Sequence, residues 1–167
     1  ISYNYAARNI DRCKKTLWTS VIFGMALMFL GTLCFEFIPE QMLRVFSSDE
    51  LVVSIGIPAF RIIGISFIPL VTSLTFPVFF QAVGSSVKSS MLTVVRTVVL
   101  FVPLAFLFSR FGLDWFWLTY PVTDTLTSLV GLIFYRRFLR HPYVIGSRAQ
   151  DSGEALKPSR PGVIVTI

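Results

Sequence analysis

Four stretches of the chain stay apolar for long enough to cross a bilayer, and each is closed off by charged or turn residues. A membrane helix needs about 20 predominantly apolar residues to traverse roughly 30 Å of hydrocarbon. The first stretch, from about Leu17 to Ile38, carries no charge before Glu36. The second, from about Pro58 to Val83, has Arg61 near its start, then the uncharged run Ile62 to Phe80 followed by Gln81, with Pro69 and Pro77 interrupting it. The third, from about Met91 to Phe108, holds Arg96 in its first half and Pro103 in its second. The fourth, from about Leu113 to Tyr135, contains one acid, Asp124, near its middle. Soluble core helices rarely stay apolar on every face over such lengths, so length argues for membrane spans. The pattern predicts an all-α membrane protein with four transmembrane helices over 17–38, 58–83, 91–108 and 113–135.

Composition agrees. Of the 167 residues 54% are hydrophobic and 14% charged, whereas a soluble domain carries roughly 25% charged positions. The 17 Phe, 5 Tyr and 3 Trp exclude disorder, because chains that stay unfolded are poor in aromatics. A net charge of +6 raises the question of nucleic acid, but such binding needs cations gathered on one face in polar surroundings. Here they sit between apolar runs, and no nucleic-acid partner is expected; the lipid bilayer is.

The charges report topology instead, since short cytoplasmic loops collect Lys and Arg. Arg8, Arg12, Lys14 and Lys15 precede the first span, whereas the loop from Pro39 to Ser54 sets Glu40, Asp49 and Glu50 against Arg44. The loop from Ala82 to Ser90 has Lys88 and no acid, the turn at Arg110 to Asp114 is near neutral, and Arg136, Arg137, Arg140 and His141 follow the fourth span. Both ends are therefore expected in the cytoplasm of a multi-pass protein of the cell (plasma or inner) membrane. Trp115, Trp117 and Tyr120 gather at the outer start of span four, where an aromatic belt is expected. From His141 onward Pro142, Pro158, Pro161 and mixed charge predict a flexible cytoplasmic tail over 141–167, distinct from the transmembrane unit 1–140. Cys13 and Cys34 fall on one helix about 30 Å apart and predict no disulfide. The chain opens on Ile1 without a signal peptide and reads as an internal or C-terminal piece of a longer one.

An ionisable side chain within a span costs a few kcal/mol and needs a reason to be there. Asp124 lies about 18 Å along the helix from Arg136, too deep to snorkel, so it must face protein or a wet cavity. It is either a carboxylate that loads and unloads a coupling cation, or a structural partner of an arginine or of hydroxyls such as Thr123, Thr125 and Thr127. Arg96, one to two turns inside the third span, reaches either toward phosphates or toward Asp124. Pro69, Pro77 and Pro103 free backbone carbonyls and make these positions candidates for a cavity border or hinge, together with Thr72, Gln81 and Pro121. No catalytic constellation, metal-binding cluster or nucleotide loop is present in the sequence, so neither enzyme activity nor a cofactor is expected. His141, the only histidine, lies in the basic segment beyond the last span and carries no metal expectation.

Several short elements in order carry a resemblance. Ile1 to Asn9 with the basic stretch after it, Phe46-Ser47-Ser48-Asp49, Ala59-Phe60-Arg61-Ile62, Phe80-Gln81-Ala82-Val83-Gly84, Arg96, and Phe111-Gly112-Leu113-Asp114 with Trp117, Pro121 and Asp124 resemble the multidrug and toxic compound extrusion (MATE) transporters over residues 1 to 140. The resemblance implies the last four helices of a twelve-helix, two-lobe transporter whose N-terminal lobe lies in the same chain. It also implies export of small cationic or amphipathic substrates by alternating access, in exchange for Na⁺ or H⁺. Arg61, Gln81, Arg96, Pro121 and Asp124 become pattern positions. Ala6 departs from the family's more usual glycine. Thr72 and its uncharged neighbours stand where some members carry a carboxylate, which implies coupling through carboxylates of the missing lobe. Two other functions fit four such spans. A flippase for lipid-linked oligosaccharides would need more cavity cations than Arg61 and Arg96, and a non-transporting membrane scaffold would need no cavity and a paired Asp124.

Overall fold

The computed structural model describes residues 1–140; the tail expected over 141–167, with His141, lies outside the described residues. Within them the secondary structure is helical throughout. Helix α1 (Ser2–Ala6) turns at Arg8, whose φ of 56° is left-handed, into α2 (Ile10–Phe37). Helix α3 (Pro39–Phe46) leads into α4 (Glu50–Ala82), and a turn at Gly84 leads into a second long rod. That rod is α5 (Ser86–Val94), a π-helical segment (Val95–Phe101) and α6 (Val102–Ser109). After Gly112 come the short α7 (Leu113–Trp117) and α8 (Thr119–Arg140).

Local chemistry sets these limits. The Asn9 side chain accepts the Arg12 N–H at 3.0 Å and caps α2, and Asp49 does the same for α4 by accepting from Leu51 N–H at 2.9 Å. An N-cap satisfies one of the orphan amides of the first turn. Asn9→Ala is expected to lower stability by about 1 kcal/mol, read as a small shift in the thermal unfolding of the purified chain.

Three helices, Ile10–Phe37, Glu50–Ala82 and Ser86–Ser109, are long and apolar enough to cross a membrane by length and composition. Helix α8 does not join that set because Thr119, Thr123, Asp124, Thr125, Thr127 and Ser128 dilute its apolar character. The expected fourth span is also broken. Leu118 separates α7 from α8, so Leu113 to Tyr135 is not one helix. The expected loop at Pro39 to Ser54 is largely helical: Pro39 fits a first helical turn, where a missing N–H costs nothing. Arg44 binds both Glu40, at 2.9 Å, and Glu50, at 3.1 Å, tying α3 to the start of α4. These hydrogen bonds, to Glu50 first and then Glu40, hold the Arg44 guanidinium above its ordinary pKa, although an exposed network of this kind adds little stability.

Helix α4 is the central strut, contacting α2, α3, α5, α7 and α8. Where it meets α2 the backbones come close through glycines. Gly24 sits against Val71, Gly31 against Phe67, and Gly64 against Phe35, and Thr32 donates to the Gly64 carbonyl at 2.9 Å. Small residues and a hydroxyl bond suit helix pairs in lipid, where apolar burial drives nothing and close van der Waals contact must serve. Against α8 the contact is aromatic. Phe76, Phe79 and Phe80 of α4 meet Tyr135 and Phe138 of α8 in a core completed by Leu17, Val83 and Leu92. The faces of these helices that touch no other described helix carry exposed large apolar side chains such as Phe23, Leu30, Val98 and Phe106.

Candidate functional site

Pro103 has no N–H to give to the carbonyl one turn earlier, and its ring crowds that carbonyl. It lies in the first turn of α6, directly after the π segment Val95–Phe101. Widened turns of this kind relieve such a conflict and are frequent at functional sites. Arg96 lies in this segment, on a helix with few buried residues, and its guanidinium turns toward α8 rather than out into lipid.

There it meets Asp124. Arg96 Nε donates to Asp124 Oδ1 at 2.8 Å, and the carboxylate side chain is only 3% exposed against 30% for the arginine. The same oxygen accepts the Ser73 hydroxyl of α4 at 2.9 Å. One carboxylate thus joins three helical segments. The hydroxyl partner is Ser73 and not the threonines of α8: Thr125 donates to the Pro121 carbonyl at 2.6 Å. Thr119, Thr123 and Thr127 form a buried i, i+4 row whose hydroxyls have no partner among the described residues.

Beside the ion pair lies a cavity of about 200 Å³ lined by Arg96, Thr97, Phe101, Tyr120, Thr123 and Asp124. Phe101 and Tyr120 meet edge to face with centroids 5.3 Å apart, so the cavity has aromatic walls, one ion pair and one unpartnered hydroxyl at Thr123. Such a surface can bind a flat or cationic amphipathic group.

The other predicted positions scatter. Pro69 and Thr72 belong to a second polar cluster at the α4–α8 contact. The Pro69 carbonyl lies 3.0 Å from the Thr72 hydroxyl and 2.8 Å from that of Ser128, and the two hydroxyls are 2.7 Å apart. Two hydroxyl protons serve these three contacts, so one hydroxyl donates to the carbonyl and the other to its neighbour. Ser128→Ala is expected to cost about 0.6 kcal/mol, the usual size for a side-chain hydrogen bond between packed helices of a membrane protein, measured by unfolding in mixed detergent. Pro77 is buried on α4 next to Phe76, and Gln81 is exposed in the last turn of α4, about 12 Å along the helix from Ser73. Pro121 sits in the first turn of α8, where its missing N–H bends nothing; it lines a separate groove with Ile65, Leu118 and Thr125. Sequence reasoning missed Ser128, and it placed Ser73 only within the polar run Thr72, Ser73 and Thr75 of span two, suited to hydrogen bonding between helices, without pairing it to Asp124. The signal for both was the polar run of span two facing a hydroxyl-rich α8.

A family model described as MatE matches residues 1–107. No curated protein matches the chain. Among solved structures, the inward-facing conformation of a multidrug resistance MATE family transporter of the MOP superfamily is similar with a TM-score of 0.76 at 20% identity, covering 90% of this chain and 34% of that one. An outward-facing conformation of such a transporter is similar with a TM-score of 0.77 at 19% identity, covering 89% of this chain and 33% of the other. A crystal structure of MATE in complex with MaL6 gives 0.75 at 20% identity, with 89% and 33% covered. The chain spans about a third of the length of these structures, and at such identities the likeness concerns the fold.

Proposed function

This chain belongs to the MatE family, and on that premise we propose that it forms part of a cation-coupled antiporter that exports small cationic or amphipathic compounds by alternating access. In this reading α2, α4, the rod α5–α6 and α8 are four membrane spans, the last four of a twelve-helix, two-lobe transporter in the cell membrane. Both ends face the cytoplasm, and the partner lobe lies elsewhere in the same chain. The coupling ion is Na⁺ or H⁺. The observation that carries the reading is the buried Arg96–Asp124 pair at the edge of an aromatic-walled cavity. A cation arriving in that cavity competes with Arg96 for Asp124, and the π segment lets the arginine yield without breaking a regular helix.

A paired Asp124 is equally what a non-transporting scaffold requires, and the cavity beside the pair is what favours transport over it. A flippase for lipid-linked oligosaccharides finds less support, since the cavity holds one arginine, already neutralised by Asp124, and Arg61 lies exposed on α4. The test is efflux of a cationic dye from proteoliposomes holding the full transporter. Efflux should follow an imposed Na⁺ or pH gradient and stop when both are abolished; efflux that ignores both gradients contradicts the antiporter.

A further inference from the structure

The end of the molecule that carries the chain's N-terminus, the start of α5 and the end of α8 is strongly cationic, and one part of it is concave. Between the first turn of α5 and the last turns of α8 lies a cavity of about 230 Å³ lined by Lys88, Met91, Phe134 and Arg137. Two cations from two different helices face one space, and neither has an ion-pair partner among the described residues. Bringing like charges together costs free energy unless an anion joins them. The negative C-terminal dipole of α8 explains basic residues such as Arg137 in its last turn. It does not explain Lys88, which belongs to the opposite, positive end of α5. The Lys88 ammonium lies 5.7 Å from the centre of the Phe80 ring, which holds it at the rim of the cavity. Met91, 53% exposed, and Phe134 give the cavity an apolar side.

We propose that this cavity binds an anionic phospholipid of the cytoplasmic leaflet, with the headgroup phosphate between Lys88 and Arg137 and the upper acyl chain against Met91 and Phe134. Charge complementarity selects the occupant: a basic pocket between membrane helices at the cytoplasmic surface, with apolar side chains toward the membrane, meets both halves of such a lipid. A free phosphate would use the cations and leave the apolar side bare. The site rests on the orientation proposed above, with this end at the cytoplasmic leaflet, and does not depend on what the protein transports.

The purified full chain is equilibrated with mixed vesicles of phosphatidylglycerol and phosphatidylcholine, and the retained lipid is counted by native mass spectrometry. Phosphatidylglycerol should be retained in preference to phosphatidylcholine, and the preference should fall about fivefold for each cation removed in Lys88→Gln and Arg137→Gln. Arg136→Gln makes the same charge change one residue away from the lining and should leave the preference near the starting value. Three results would overturn the site: no preference in the unaltered chain, a preference untouched by the double variant, or a loss in Arg136→Gln equal to that in Arg137→Gln. Displacement of the lipid by inorganic phosphate at equal concentration would overturn it as well. Arg137 is exposed, so its variant folds and keeps the test decisive even where Lys88→Gln does not.

Discussion

Asp124→Ala is expected to destabilise the chain by about 3 kcal/mol, the lower part of the range for breaking one side of a buried ion pair. The lower part applies because Arg96 is 30% exposed and recovers some solvation, whereas the carboxylate it faces is almost fully enclosed. The loss has two sources. Arg96 is left without a counter-charge in a low-dielectric setting, and the Ser73 hydroxyl loses the acceptor that lies 2.9 Å away. Replacing both members by apolar residues, Arg96→Met with Asp124→Leu, should recover most of the deficit, since a buried pair earns little over a well-packed apolar substitute. Unfolding in mixed detergent measures the single and double variants together. A single variant as stable as the unaltered chain would mean that the pair does not hold α8 to the π segment.

The second large effect is expected at Gly131. A Cβ there would lie 2.5 Å from Phe76 Cδ2 and 2.9 Å from its Cγ, and Phe76 is itself fixed between Tyr135 and the rest of the aromatic core. The ring cannot swing away without disturbing the α4–α8 contact. Gly131→Leu should therefore cost about 3 kcal/mol, the upper part of the range for overpacking. Gly131→Ala should cost less, since the methyl is smaller and the gain in helix propensity, about 1 kcal/mol, offsets part of the clash. Trimming the neighbour in Gly131→Ala with Phe76→Leu should lessen the penalty of the glycine change, a coupling that a double-mutant cycle reads directly. Additive costs would show that the two positions do not touch.

The apolar runs in the sequence point to the three helices long enough to cross a membrane, because apolarity over 20 residues depends only on composition. Helix ends are less legible: the apolar runs begin at about Leu17 and Pro58, whereas the helices begin about two turns earlier, behind the caps at Asn9 and Asp49, and Pro39 starts a helix inside the expected loop. What composition hides is geometry. The π segment around Arg96 directly precedes Pro103 and the chain breaks at Leu118, and no periodicity in the sequence registers a widened or interrupted turn. Depth along the helices brought Arg96 and Asp124 within reach of each other, and the structure joins them. It could not choose Ser73 over the threonines of α8 as the third partner, because that choice rests on how α4 and α8 are rotated against each other. Gln81 and Pro121 share the pattern of the site residues but not their place, since each lies on another part of its helix.

The most direct measurement is dye efflux by the full-length transporter carrying Asp124→Asn. Asparagine keeps an acceptor oxygen for Arg96 and Ser73, so the hydrogen bonds that Asp124→Ala loses are retained and the protein should still reach the membrane, while the charge over which, in the proposed cycle, Arg96 and an incoming cation compete is gone. Efflux should then fall to the level of cells lacking the protein. Normal expression with undiminished efflux would remove Asp124 from the transport cycle and leave the Arg96–Asp124 pair as scaffolding alone.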